Sequence, residues 1–444
     1  MTKVGFISLG CCKNLVDTEV MLYNLHVAGF ELTPDEEEAE IIVINTCGFI
    51  ESAKQEAISN ILDAASLKTY GKCRYIIATG CLVERYREEV MAELPEIDAL
   101  VGIGSLCDIA EACKAVMRGE KYTSFRDKET SDLGGDRIIT TGNHTAYLKV
   151  SEGCDNLCTY CAIPLIRGRH RSRPIEDIVK EARDLEAMGV KEINLIAQDT
   201  TRYGLDLYGE YSLARLVRAI TEETSIPWIR LLYCYPDKIT DELIEELRNN
   251  DRLLKYMDIP VQHISDSVLK RMNRHGGKQL ICDAVKRLRD SVPGIILRTT
   301  AMVGFPGETD EDFTELCEFV KQARFDRFGA FTFSPEEGTA AAEMEDQIDE
   351  QVKQDRYDCL MQTQLTVAEE LTASRIGSRL TVLCEGYDPA QKIYYGRRES
   401  DAPDIDAKVY FTSDEPIYEG IFVDVLVNEA LEYDLVGEAV IEEA

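Results

Sequence analysis

No apolar stretch in this sequence approaches the roughly 20 residues that a helix needs to cross a bilayer, which argues against a helical membrane protein. The N-terminal run MTKVGFISLGCC has one lysine and a short apolar segment. It lacks the longer apolar region and small-residue cleavage site of a secretory signal, and a lipoprotein-type reading of Leu9, Gly10 and Cys11 fails for the same reason. The chain is expected in the cytoplasm, with no membrane partner. Positive charge is also scarce: Lys and Arg number 49 against 81 Asp and Glu, a net charge of −32. Such a surface repels phosphate backbones at long range, so stable nucleic-acid binding is not expected, and solubility is the plain reason for the charge. No low-complexity tract interrupts the chain.

Cysteine, by contrast, is plentiful. Fifteen of them in a cytoplasmic chain argue against a disulfide scaffold and for metal ligation by some. The 444 residues, 45% hydrophobic, leave room for two to four domains. Over 2–118, short β-rich runs (4–9, 41–46, 75–79 and 98–101) alternate with helical patterns, which implies parallel βαβ units. The polar stretch 119–139, with Gly134 and Gly135 as a turn signal, reads as a linker. Alternation resumes over 140–372, where strands at 147–150, 192–196, 228–232, 256–259, 295–300 and 328–333 suggest a partial (β/α)6 barrel. Its chemistry is expected at the C-terminal strand ends. Five short β runs over 373–444 suggest a small antiparallel β-barrel of the oligonucleotide-fold kind. The fold class is therefore α/β with a C-terminal β-barrel.

Six cysteines carry chemistry. Cys154, Cys158 and Cys161 follow the first strand of the middle region at a spacing that wraps a loop around a 4Fe–4S cube and leaves one iron without a protein ligand. That iron can chelate the amino and carboxylate groups of S-adenosylmethionine (SAM), and Tyr160 offers a flat face for its adenine. The alternatives are a zinc knot or unrelated thiols, but no paired spacing with a fourth ligand is evident. Cys11, Cys47 and Cys81 each stand just after a predicted strand. In a parallel sheet those ends share one edge, where three thiols suit a second three-ligand cluster. The alternative is that cysteine is simply common at buried strand ends. The other nine cysteines read as ordinary thiols.

Weaker signals surround these. Gly304 and Gly307, in GFPGET, allow backbone to approach the ribose or adenine of SAM, or form a plain turn with Thr309 as N-cap. The run Arg167, Arg169, His170, Arg171, Arg173 could meet the SAM carboxylate or an acidic substrate group, or lie on a solvated or salt-bridged face. Gln198, Asp199, Gln262 and His263 end strands where polar groups face a barrel's active site.

These residues resemble the methylthiotransferase family of radical SAM enzymes along essentially the whole chain. SLGCCKNLVDTE, NTCGFIESAKQEAI and TGCLVERY look like the domain holding the family's auxiliary cluster. EGCDNLCTYCAIPLIRGRHRSRP resembles the radical SAM loop, and the last seventy residues resemble a TRAM barrel. DIPVQHISDSVLKRMNR, FSPEEGTAAA and SDAPDIDAKVYF are similar to the RimO type, which methylthiolates the β-carbon of an aspartate in small-subunit ribosomal protein S-twelve. Cys12 stands where the family pattern has proline, and Met302 where it has isoleucine. The resemblance implies two 4Fe–4S clusters, on Cys11, Cys47 and Cys81 and on Cys154, Cys158 and Cys161. It implies SAM as methyl and radical source, a flavodoxin- or ferredoxin-type electron donor and a sulfur donor. A tRNA adenosine methylthiotransferase and a non-catalytic iron–sulfur carrier are the competing readings. From Arg375 onward, six basic and sixteen acidic residues leave the barrel at −10, which suits a basic protein substrate better than tRNA. The acidic loop with Asp401, Asp404 and Asp406 is a candidate docking face.

Overall fold

Every residue of Ile41–Thr46 (IIVINT) is buried, and a strand enclosed on both faces belongs inside a covered parallel sheet. In the computed structural model, which describes residues 1–441, it is the third strand of a six-stranded parallel sheet. The order is Glu31–Thr33, Lys3–Ser8, Ile41–Thr46, Tyr75–Gly80, Ala99–Val101 and Tyr122–Ser124. Pairing of Ser8 with Asn45 and of Thr46 with Gly80 brings three strands to an end at one edge. Sequence reading misses the two edge strands. Glu31–Thr33 and Tyr122–Ser124 are three residues long and bury none of them, and the second lies in the stretch read as linker.

The second sheet takes its strands in chain order: Thr145–Lys149, Glu192–Ile196, Trp228–Leu231, Leu253–Asp258, Ile296–Val303 and Arg327–Thr332. All are parallel and the sheet stays open, so it forms the expected partial barrel. The two-residue period splits its faces. Leu148, Leu195, Leu231, Met257 and Leu297 pack under the outer helices. Tyr147, Trp228, Leu254 and Tyr256 turn the other way and pack with Leu383 and Ala402 of the C-terminal unit. No helix among the described residues is long and apolar enough to cross a membrane.

Helix Glu350–Ala373 leads into a closed barrel of Arg379–Asp388, Ile393–Arg398, Val409–Thr412, Leu435–Ala439 and Phe422–Ala430. One pairing, between Val409–Thr412 and Leu435–Ala439, is parallel, so the barrel is not wholly antiparallel as expected. The acidic loop requires a larger correction, because it is a latch and not a docking face. Asp401 is fully buried, accepting from Arg327 Nε at 2.9 Å and Arg398 Nε at 2.6 Å. Asp406 accepts from Tyr256 Oη at 2.6 Å and faces Arg298 Nε at 3.4 Å, and Tyr147 Oη donates to Asp404 at 2.9 Å. Glu192 joins Arg230 at 2.9 Å to Arg397 at 2.5 Å, and the Trp228 ring meets Phe422 at 4.8 Å. Glu192, Trp228 and Arg327 begin their strands, so the barrel docks at the end of the sheet opposite the cysteine loops. Net charge could not reveal this, because the matching arginines are scattered one by one along the chain.

Removing Asp401 leaves two buried guanidiniums unpaired, so Asp401→Ala should cost about 3–5 kcal/mol in chemical denaturation. Burial opposes the Asp401 charge, but Arg327 and Arg398 outweigh it and hold the carboxyl at about 2. A carboxyl depressed in the folded state stabilises above its unfolded value near about 3.9, and that stability is lost as pH falls toward the folded value. Thermal melts between about pH 4 and pH 2 should therefore fall more steeply for the wild type than for Asp401→Asn.

Candidate metal centres

The loop of Cys154, Cys158 and Cys161 leaves the short strand Ser151–Glu152 at the C-terminal end of the second sheet's first strand. Gly153 makes the turn possible: its φ is +80°, and a Cβ there would lie 1.9 Å from the Arg169 carbonyl. Backbone and side chains then pin the loop. Cys154 N–H donates to Gly168 O at 3.1 Å, Thr159 N–H to Met272 O at 3.1 Å, and Asn273 Nδ2 to Leu157 O at 2.9 Å. Asn156 bridges Asp199 at 2.7 Å and Lys238 at 2.8 Å. Burial pushes the Cys154 thiol up to about 11, with Cys158 adding to it. Burial raises Cys161 further, with Cys158 and Cys154 both contributing. The Cys154 and Cys161 sulfurs thus both sense the charge of Cys158. Cys158 Sγ lies 2.8 Å from Tyr235 Oη, which accepts from Arg274 Nη1 at 2.6 Å. A hydroxyl so oriented can donate to a thiolate and tune a bound metal.

Cys11, Cys47 and Cys81 sit on the shared edge of the first sheet, Cys47 and Cys81 directly behind their strands and Cys11 three residues past Ser8. Gly80 sets up the last of them with a φ of +93°, and a Cβ there would lie 2.3 Å from Asn45 Oδ1. Asn14, in helix Cys12–Val27, staples the three loops: its Nδ2 donates to Leu9 O and Thr46 O at 3.0 Å each, and its Oδ1 faces Cys81 Sγ at 3.5 Å. Burial pushes Cys81 up to about 12; Arg167 opposes this, while Cys11 and Cys47 add to it. Cys11 reaches solvent as a residue, yet neighbours crowd its sulfur and desolvation raises the thiol. Lys13 and Arg167 outweigh that and hold Cys11 below the usual thiol value. Cys12 points elsewhere, with its Sγ 3.5 Å from Tyr233 Oη.

The basic run separates into different duties. Arg167 is fully buried beside the first sheet's cysteines, 3.7 Å from Cys81 Sγ, with Asp17 at 2.7 Å and Glu152 at 3.0 Å. Lys149 binds the same two carboxylates at 2.6 and 2.8 Å. The others follow the salt-bridged reading: Arg173 pairs with Glu181, Arg171 with the Ser131 carbonyl, and His170 with Ser172, while Arg169 projects outward. Gln198 binds Glu152 at 2.6 Å, and Asp199 is consumed by Asn156, Thr201 and Lys238. His263 is enclosed between Ser265 N–H and Glu308, and Gln262 forms a bridge to Ala301. Gly304 and Gly307 have positive φ, but Lys353 and Arg271 of the chain itself fill the space beside them. Thr309 caps the following helix in a capping box with Asp312. That loop touches the cysteine loop through Phe305, whose ring meets Tyr160 edge-on at 6.5 Å. Sequence reading singled out none of Lys13, Tyr235 and Arg274: Lys13 and Arg274 stand inside matched motifs, but their partners Tyr233 and Tyr235 come from distant parts of the chain.

Among the described residues no three His, Cys, Asp or Glu side chains gather tightly enough to hold a single metal ion. A zinc site needs its donors around one point. Thiolates that bind separate corners of a cube stand further apart. Two sets of three soft sulfur donors, each free of disulfides and each coupled internally, fit iron–sulfur clusters with one open iron apiece.

Three family models match in chain order: uncharacterised protein family UPF0004 over 3–102, the Radical SAM superfamily over 148–320, and the TRAM domain over 376–440. The chain is 49% identical over 439 residues to a ribosomal protein uS12 methylthiotransferase RimO of Thermoanaerobacter sp. (strain X514), spanning 99% of this chain and 100% of that one. It is 48% identical over 441 residues to the protein of that name from Desulforamulus reducens, with 99% of each chain covered. Its fold is similar to that of the radical S-adenosylmethionine methyltransferase TsrM from Kitasatospora setae, solved with cobalamin and a [4Fe-4S] cluster. There the TM-score is 0.56 at 13% identity, over 85% of this chain and 76% of the other. With such identity along its full length, the chain belongs to the RimO family of radical SAM methylthiotransferases.

Proposed function

We propose that this chain transfers a methylthio group to the β-carbon of an aspartate in ribosomal protein uS12. One observation carries the reading: the two three-cysteine sets lie on loops that are locked together through Asp17, Lys149, Glu152 and Arg167. In this reading Cys154, Cys158 and Cys161 hold one 4Fe–4S cluster, and Cys11, Cys47 and Cys81 hold the other. Bound there, the first supplies the one-electron chemistry that cleaves SAM, and the second holds the sulfur to be transferred. An unactivated C–H bond has no acidic proton for a base to remove, which is why radical chemistry is required. The chain's own residues keep water out, fix both sets of thiols and tune them through Arg167 and through the Arg274–Tyr235 pair. Tyr160 would offer its ring face to the adenine of bound SAM, and Gly304 and Gly307 shape the neighbouring loop. Electrons come from a flavodoxin- or ferredoxin-type protein and sulfur from a separate donor, in the cytoplasm.

A cationic protein suits the C-terminal barrel. Asp401, Asp406 and Glu385 are paired, as are Arg397 and Arg398, and acidic residues still outnumber basic ones over the rest of the barrel's described residues. Basic or aromatic faces suited to RNA are not favoured by that balance.

Three outcomes are expected. Alanine at Cys154, Cys158 and Cys161 together should leave one cluster after anaerobic reconstitution and abolish SAM cleavage; persistent 5′-deoxyadenosine would refute that assignment. Alanine at Cys11, Cys47 and Cys81 should retain some SAM cleavage while methylthiolation stops, and Cys12→Ala should retain both clusters by iron analysis. Offered uS12 and tRNA in competition, the wild-type enzyme should modify the protein, with added salt weakening the complex; methylthio-adenosine as the main product in mass spectrometry would overturn the choice of substrate.

A further inference from the structure

Lys13 is only 7% exposed, and among the described residues no carboxylate pairs with it. Its ammonium lies 3.4 Å from the centroid of the Tyr233 ring, just beyond the strand Trp228–Leu231. A buried charge without a counter-ion is costly, so a site that keeps one is built to receive an anion. The other cations nearby are already engaged. Arg167 and Lys149 are matched by Asp17 and Glu152, and Arg274 is spent on Tyr235, Tyr160 and the Pro260 carbonyl. Lys13 is left facing the Cys11 thiolate and the Tyr233 ring, with no carboxylate to neutralise it among the described residues.

Its position favours a substrate anion. Lys13 follows Cys11 by two residues, yet its chain extends to the Tyr233 ring beyond a strand of the second sheet, so the ammonium stands at the contact between the two sheets. The carbon to be modified must lie in that same gap, within reach of both centres. Helix Cys12–Val27 adds to the field, since its first turn has no acidic residue and its N-terminus is positive. Tyr233 itself has a φ of +61°, an uncommon conformation for a bulky side chain. It is held there by hydrogen bonds from its own N–H to Asp258 Oδ2 at 3.0 Å and from Thr200 N–H to its carbonyl at 3.0 Å. That backbone presents the ring beneath the ammonium.

We infer that Lys13 binds the side-chain carboxylate of the substrate aspartate and makes the enzyme specific for an acidic residue. This deepens the ribosomal-protein reading and rests on it. The ammonium fixes the carboxylate, which orients the adjacent β-carbon toward the gap, while the Tyr233 ring holds the ammonium in place. Lys13 is thus a substrate-binding residue that sets specificity; no proton or electron passes through it.

The test uses the full-length enzyme with both clusters reconstituted, SAM present, and two uS12-derived peptides. One carries the aspartate and the other asparagine at that position, equal in shape but uncharged. Fluorescence anisotropy gives peptide affinity, product formation gives KM and kcat, and electron paramagnetic resonance reports both clusters. Wild type should bind the aspartate peptide at least about tenfold more tightly. Lys13→Met should lose that margin, chiefly through KM, with both cluster spectra retained, and Lys13→Arg should restore part of it. Equal wild-type affinity for the two peptides overturns the proposal without any variant. So does a Lys13→Met enzyme that keeps the preference while the auxiliary cluster's spectrum shifts, since Lys13 would then balance cluster charge. If wild type binds neither peptide and methylthiolates tRNA adenosine, the ribosomal-protein reading itself fails, and the carboxylate role with it.

Discussion

Four buried charges hold the two halves of the catalytic region together: Asp17 on the first helix, and Lys149, Glu152 and Arg167 around the cysteine loop of the second sheet. Two carboxylates and two cations make the group neutral, and each carboxylate contacts both cations. Such a lattice adds little net stability, because desolvation offsets much of the attraction. Its value is geometric. Removing any one member strands a partner in a water-poor interior, so the two sheets cannot slide past each other cheaply. Arg167 extends the lattice to Cys81 and Asn14, and Asn14 in turn fixes the loops of Cys11 and Cys47. The spacing between the two cysteine sets is therefore set by ion pairs that join Asp17, beside one motif, to residues flanking the other.

The opposite end of the second sheet is closed by a different device. Tyr147, Arg230, Tyr256, Arg298 and Arg327 line the inner face near the strand starts, and the C-terminal barrel answers them with Asp404, the Glu399 carbonyl, Asp406 and Asp401. The barrel is thus part of the core's integrity as well as an outer surface. Cutting it away would bare three arginines, so loss of activity on deletion says nothing specific about substrate recognition. Substitutions on its outward acidic residues separate recognition from folding.

Much of this organisation is legible in the sequence, for identifiable reasons. Ile41–Thr46, Glu192–Ile196 and Leu435–Ala439 are dense in buried or alternating apolar residues, and their strands fall where the pattern puts them. Cys154, Cys158 and Cys161 are readable because one loop carries all three ligands. The thiols at 11, 47 and 81 could be grouped only because each ends a strand of a parallel sheet. What stayed hidden depends on long-range pairing. Glu31–Thr33 and Tyr122–Ser124 have too little buried surface to leave a pattern. Arg167 looked like one member of a basic run, and Asp401 like a surface charge. In both, the residue type was visible and the partner, 150 residues away in the case of Asp17 and 74 in the case of Arg327, was not.

The same contrast explains how the chain meets the demands of its chemistry. A radical that attacks an unactivated C–H bond reacts with whatever is nearest, so its target and the sulfur must both be held before it forms. Short local devices suffice to shape each cysteine loop: Gly153 for one, Gly80 and Asn14 for the other. Neither loop can control its distance to the other. That task falls to packing between sheets, where a neutral lattice replaces bare charges, while Lys13 has no carboxylate partner among the described residues. An anion that enters beside Lys13 meets an ammonium that no carboxylate already neutralises. An ammonium so placed can set the orientation of an anionic substrate.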